Sequence, residues 1–200
     1  AISCDLADRP VKLDRAPGGA PLHDAAPDNQ AFDWSMGDRA ATDAAFARAA
    51  HHVRLRVDHN RVIVNAMEPR GAFAEWDGAR LHLAVNGQGV WQQKKNLAAA
   101  LNLPETAIRV TNPDVGGGFG MKAMDYPEYT VIAAASRMLG RPVRWMSERT
   151  EAMLSDNAGR DLGVVAELAF DADHRITAYR VDILSNLGAY NSQFGQMIQS

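Results

Sequence analysis

The chain has 200 residues, 46% of them hydrophobic, and 21 Lys and Arg against 24 Asp and Glu give a formal net charge of −3. That length is one domain plus extra, with apolar residues enough for a core and a charge balance that offers no general attraction to nucleic acid or anionic membrane. The lone Cys4 excludes an intrachain disulfide and a cysteine zinc cage, and no apolar run reaches the roughly 18 residues of a spanning helix.

Residues 1–37 carry Pro10, Pro17, Pro21, Pro27, Gly18 and Gly19. Proline removes amide donors and fixes φ, so a linker or extended arm is expected there. The alanine-rich run from Asp38 to Ala50 predicts a short helix. Val53, Leu55 and Val57 alternate with Arg54 and Arg56, which is the period of a half-buried strand. Val62 to Val64 is β-branched and predicts another strand, with a turn at Asp58-His59-Asn60 between the two. Phe73–Trp76 and Leu81–Val85 read as a strand pair around Asp77-Gly78.

Leu97 and Leu101 lie four apart in an amphipathic helix over 90–101, stopped by Pro104. A short strand over 107–111 leads into a glycine loop. Pro127 opens the next helix and Gly140 caps it. A strand at 142–146 and a short helix at 148–154 follow. A hairpin of 164–170 and 176–187 turns around Asp173-His174. Strands, then helix–strand–loop–helix, then strands describe an α+β fold. Its expected form is a mixed sheet with helices packed on one side, and residues 38–200 are expected to form the domain.

Ala1 is not a methionine and no signal-peptide pattern follows it, so an internal fragment is expected. The low cysteine usage fits a cytoplasmic location.

The most informative stretch is NPDVGGGFGMK, Asn112 to Lys122. Glycine permits positive φ and close approach of backbone amides to a ligand, and successive amides can form an anion-binding concavity. Two phosphate-binding patterns fail on spacing. GxGxxG from Gly116 would need glycine where Met121 stands, and GxxxxGK[ST] would need Ser or Thr where Ala123 stands. On residues alone the loop is either a ligand cradle or a tight structural crossover. No HExxH or comparable spacing serves zinc, and no GxSxG serves a serine hydrolase.

GGGFGMK, with a strand before it and YPEYTVIAAASRMLGRPVRW after it, resembles the molybdenum-binding subunit of the molybdenum hydroxylases. These are the relatives of xanthine dehydrogenase, aldehyde oxidase and aerobic carbon monoxide dehydrogenase. NRVIVNAMEPRGAFAEWDG, LHLAVNGQGVWQQKKNLAAALNLP and SERTEAMLSDNAGRD resemble three further segments of the family, in order. The resemblance covers about residues 28–190, and the early DNQAFDWSMGD stretch leans toward the carbon monoxide dehydrogenase large chain.

The resemblance implies a molybdenum ion held by molybdopterin, in its cytosine dinucleotide form. It implies a two-electron oxidation in which metal-bound hydroxide attacks a carbon centre. Iron–sulfur and FAD subunits would take the electrons, in a dimer of heterotrimers. Copper stays open, since the loop that separates carbon monoxide oxidation from hydroxylation belongs to a later segment, as does the family's catalytic glutamate. The expected fragment, alone, would be inactive.

By the same resemblance Gln88 is expected to donate its side-chain amide to an oxygen ligand of molybdenum, a role that needs no proton gained or lost. On the residues alone it is an exposed turn residue between Gly87 and Gly89. Gly117, Gly118, Phe119 and Gly120 match the loop that passes the cofactor. Gly118 is expected to need positive φ and an empty Cβ position. Phe119 is either an apolar wall of the substrate pocket or a plug in the core. Lys122 could pair with an acid or neutralise an anionic group, and is expected to be structural, since a lone lysine is usually solvated. A carboxylate commonly follows this lysine in the purine-oxidising relatives, and Ala123 stands there instead, which counts against a purine. Glu68 is read as structural, with Arg70 or Arg149 as partner. Arg149, Glu151, Arg160 and Asp161 are read as a charged framework. The alternative to the enzyme is a stand-alone binding or subunit-assembly module using the loop structurally. A third reading is a nucleotide-phosphate binder.

Overall fold

The computed structural model describes residues 21–188 and 193. Most of the expected arm, residues 1–20, lies outside the described residues, and the rest of it holds turns and one bridge between His23 and Ala26. The elements then run α1 (Arg39–Arg48), β1 (His51–His59), β2 (Val62–Ile63), β3 (Gly71–Trp76), β4 (Leu81–Val85), α2 (Trp91–Leu101), β5 (Ile108–Thr111), α3 (Pro127–Leu139), β6 (Val143–Met146), α4 (Arg149–Ser155), β7 (Ala158–Gly159), β8 (Leu162–Phe170) and β9 (Ile176–Ser185). They divide into two units, one from residues up to 61 and from 160, the other from 62–159 with 193.

The first unit is a three-stranded antiparallel sheet in the order β1-β8-β9 with α1. β8 and β9 form the expected hairpin, whose turn is held by the Asp171 carboxylate accepting from the amides of Asp173 and Arg175. Side chains alternate across a strand, so the register places Val53, Leu55 and Val57 beside Val164, Ala166, Leu168, Tyr179, Val181 and Ile183 on one face. The other face carries His52, Glu167 and Arg180, and α1 packs there: Phe46 meets His52 edge-on at 5.2 Å and lies under Arg180 at 4.5 Å. On the apolar face Val53, Leu55, Tyr179 and Ile183 are exposed, Leu55 by 59%. β1 extends through His59 and pairs with β8, while β2 pairs with β7 in the other unit. The turn expected at Asp58-His59-Asn60 is therefore not formed, since Asp58 and His59 continue β1 and the two strands are not partners.

The second unit is a mixed sheet in the order β5-β4-β3-β6. β4 pairs in parallel with β5, and β3 is antiparallel to both β4 and β6. Alternation gathers Ala72, Ala74, Leu81, Leu83, Val85 and Ile108 on one buried face, against which α2 and α3 pack with Leu97, Tyr129, Ile132 and Ala133. Pro127 occupies the first turn of α3, where its missing N–H costs nothing, and Gly140 closes that helix with φ 58°. Glu148 and Glu151 form a reciprocal capping box on α4. Among the described residues no helix is long and apolar enough to cross a membrane.

The parallel pairing of β4 and β5 decides where the motifs go. Both strands end on the same side, so the turn after β4 (86–89) and the loop after β5 (112–122) emerge together. In open α/β sheets the C-terminal ends of parallel strands are where ligands bind. β3 starts on that side because it is antiparallel to β4, which brings residues 66–70 there, and β6 ends there because Met146 lies opposite Gly71. Parts of all four segments that carry the family resemblance, residues 66–70, 86–89, 116–122 and those just after Met146, thus meet at one end of one sheet.

Candidate functional site

The turn after β4 is built by Asn86. Its Oδ1 accepts from the Gly71 amide at 2.8 Å, and its Nδ2 donates to the Pro69 carbonyl at 2.8 Å. The turn is tied to the next loop by Asn112, whose Nδ2 donates to the Gly87 carbonyl at 2.6 Å. The Gln88 amide donates to the Lys122 carbonyl at 3.1 Å. These bonds present the Gln88 side chain to the glycine loop.

The contact there is close. The Gly120 amide donates to Gln88 Oε1 at 2.8 Å. An amide N–H only donates, so the oxygen of the carboxamide must face it and the Nε2 group points away. A Cβ at Gly118 would lie 2.5 Å from Gln88 Cδ. Gly118 itself is not in the left-handed region. Positive φ is held by Gly117 (97°), Phe119 (53°) and Gly120 (88°). The reason for glycine at 118 is therefore space for Gln88, which corrects the expectation of a positive φ there.

Phe119 is 77% exposed. It is not the core plug, which removes that alternative. Its ring lies against Gly117, where an added Cβ would be 3.0 Å from Phe119 Cε2. Among the described residues no acceptor takes the amides of Gly117, Gly118 or Phe119, or the Nε2 group of Gln88. These donors lie on one loop and the turn beside it.

Lys122 is fully buried, contrary to a solvated reading, and its Nζ is 2.9 Å from Glu68 Oε2. The same Oε2 accepts from the Gly116 amide at 2.6 Å. Burial pushes the Glu68 carboxyl up, but the Lys122 ammonium, the Gly116 amide and Asn86 outweigh it and hold the group below its ordinary range.

The expected partners of Glu68 are thereby corrected. Arg70 instead donates to Asp156 at 2.5 Å and Glu128 at 3.2 Å, and stacks on Tyr126 at 3.5 Å. Arg149 donates to Asn65 Oδ1 and to the carbonyls of Ala66 and Met67, both at 2.7 Å. It fixes the backbone just before Glu68. Glu151 caps α4, and Asp161 pairs with Arg61 in the other unit's own chain segment.

The roles of Asn86 and Asn112 were missed in the sequence. Each stands directly after a strand, a position where a side chain can take over the pairing that the strand gives up, and that is the one local signal for them. Among the described residues no group of three or more His, Cys, Asp or Glu could hold a metal ion. The site's chemistry is that of neutral hydrogen-bond donors, which suits an anionic group that carries any metal with it.

The family described as "Molybdopterin cofactor-binding domain" matches residues 22–200. The chain is 34% identical over 166 residues to the carbon monoxide dehydrogenase large chain of Hydrogenophaga pseudoflava, covering 82% of this chain and 21% of that protein. It is 39% identical over 152 residues to the 6-hydroxypseudooxynicotine dehydrogenase complex subunit gamma of Paenarthrobacter nicotinovorans, covering 76% and 19%. The quinoline 2-oxidoreductase structure from Pseudomonas putida 86 superposes with a TM-score of 0.71 at 37% identity, covering 75% of this chain and 19% of that one. The chain spans about a fifth of the length of the curated relatives it matches.

Proposed function

The chain belongs to the molybdopterin cofactor-binding domain family, and from that premise we propose that it forms part of the molybdopterin-binding subunit of a molybdenum-dependent oxidoreductase. The parent type is the carbon monoxide dehydrogenase or the aldehyde or N-heterocycle hydroxylase, as in the relatives it resembles. The observation that carries this reading is the approach of Gln88 to Gly118 and Gly120, beside three loop amides without an acceptor among the described residues.

These residues fit the group. The Glu68 carboxylate that meets the loop is committed to Gly116 and Lys122, so neutral donors face the bound anion. The cofactor, in its cytosine dinucleotide form, supplies a molybdenum ion on a pterin dithiolene and two-electron oxidation of a substrate carbon. Gln88 donates through Nε2 to an oxygen of that group. Having no titratable proton, it keeps this role across pH. The amides of Gly117, Gly118 and Phe119 bind and orient the same group by their dipoles. The exposed Phe119 ring excludes water from one side of the reacting carbon. Ala123 offers no carboxylate to hydrogen-bond a purine ring, which argues against a purine substrate. Iron–sulfur and FAD subunits take the electrons, in a dimer of heterotrimers.

The test is Gln88→Ala in the full polypeptide that carries this chain, with molybdenum and pterin content measured beside turnover. Turnover should fall about tenfold or more, the scale of losing an outer-shell hydrogen-bond partner of a metal group, while folding is kept. Unchanged turnover would leave the loop as scaffolding for subunit assembly.

A further inference from the structure

We infer that Glu68 is the positioning residue of the glycine loop, setting where Gln88 and the loop amides stand without touching a ligand. Its purpose rests on the cofactor reading above, but its geometry does not. One oxygen, Oε2, receives donors from both ends of the loop: the Gly116 amide at 2.6 Å and Lys122 Nζ at 2.9 Å. The Glu68 amide returns a bond to the Gly116 carbonyl at 3.3 Å. The approach leaves no slack, since a Cβ at Gly116 would lie 2.5 Å from Glu68 Cβ.

The chain of contacts continues past the carboxylate. Lys122, pinned by its ammonium, offers its carbonyl to the Gln88 amide at 3.1 Å. Gln88 Oε1 then accepts from Gly120 at 2.8 Å. The contacts close a ring from Glu68 through Lys122, Gln88 and Gly120 back along the loop to Gly116. Inside that ring the amides of Gly117, Gly118 and Phe119 are left as donors. A glycine-rich segment holds no shape by itself, because its backbone entropy is the largest of any residue type. A charge-assisted clamp at both ends supplies the order. Lys122 is fully buried, so its ammonium has no water to fall back on and keeps the carboxylate in place. Arg149 supports the arrangement from behind through the carbonyls of Ala66 and Met67.

A merely structural ion pair would lower global stability and leave the far side of the ring alone. Hydrogen exchange separates the two roles. In the 200-residue chain, Glu68→Gln should speed exchange of the Gly120 amide about tenfold or more, the worth of a hydrogen bond to a charged group, while the Leu83 amide in the core is unchanged. In the unsubstituted protein the Gly120 and Gln88 side-chain signals should also follow the Glu68 titration on lowering pH, and in Glu68→Gln they should not. Should the single variant fail to fold, Glu68→Gln with Lys122→Met removes the buried unpaired charge and keeps an acceptor for Gly116. Gly120 should again exchange faster in it. Gly120 protection unchanged, or lost only in step with Leu83, overturns the inference. The cofactor reading fails separately, if the full polypeptide carrying this chain purifies without pterin while its loop amides behave as stated.

Discussion

The carboxamide of Gln88 fills the space that a side chain at Gly118 would need, since a Cβ built there would lie 2.5 Å from Gln88 Cδ. Gly118 lies outside the left-handed region, so alanine there meets a movable side chain and no backbone strain. Gly118→Ala should push Gln88 aside and break its bond to Gly120. The cost to folding should stay within about 1.5 kcal/mol, that of one hydrogen bond, while the Gln88 side-chain amide signals move. Chemical denaturation and amide spectra read both. A loss above about 3 kcal/mol, the scale of core disruption, would show that the loop backbone and not Gln88 gives way.

The local elements were legible because their causes are local. Alternation in 53–57, Pro127 and Gly140 around α3, and the Asp173-His174 turn each signal themselves within a few residues. The pairing of β1 with β8 was not, because its partners are more than 100 residues apart and both neighbours of β1 carry strand patterns. The meeting of Gln88 with the glycine loop was legible, because a motif marks each of the two segments. The site was not legible at Lys122, since a lysine's burial depends on a carboxylate 54 residues away. Nor was the choice among Arg70, Arg149 and Lys122 as partner of Glu68, for charge alone does not say which cation the fold brings closest.

Acid should loosen the loop before the core. Glu68 titrates below its ordinary value of 4.5 in the folded chain. A carboxyl so depressed adds stability that is complete above the unfolded value and fades as pH falls through the folded one. Thermal stability of the unsubstituted chain should therefore decline as pH drops below about 4.5, the onset set by the unfolded carboxyl. In Glu68→Gln this part of the decline should vanish. A profile identical in the two proteins would assign the acid sensitivity to other carboxylates.

Arg70 should be the costliest charge to remove. It is fully buried among Asp156, Glu128 and Ser155, and it stacks on Tyr126. Burial alone would lower its pKa, but the two carboxylates raise it further than burial lowers it. Arg70→Met leaves Asp156 buried without its cation, which should cost about 3–5 kcal/mol. Arg70→Lys keeps the charge but not the planar fork that serves two carboxylates, so it should recover only part of the loss. Arg175→Ala, which removes an exposed pair with Asp173, should change stability by no more than about 1 kcal/mol. Denaturant midpoints order the three variants, and an Arg70→Met effect as small as that of Arg175→Ala would refute the assignment.

Phe119 should separate stability from substrate handling. A core phenylalanine cut to alanine costs about 3–5 kcal/mol. This one is 77% exposed and stands at φ 53°, a left-handed conformation that a bulky residue adopts at a cost. Phe119→Ala should therefore change folding stability by no more than about 0.5 kcal/mol, and Phe119→Gly, which accepts positive φ freely, should be no less stable than Phe119→Ala. In the full polypeptide carrying this chain both variants should raise KM for an apolar substrate, because the wall is gone, while pterin content is kept by the amides of Gly117 and Gly118. Calorimetry on the chain and steady-state kinetics on the full polypeptide read the two effects independently. A multi-kilocalorie loss on truncation would mean that the ring packs inward, and the pocket-wall role would fall with it.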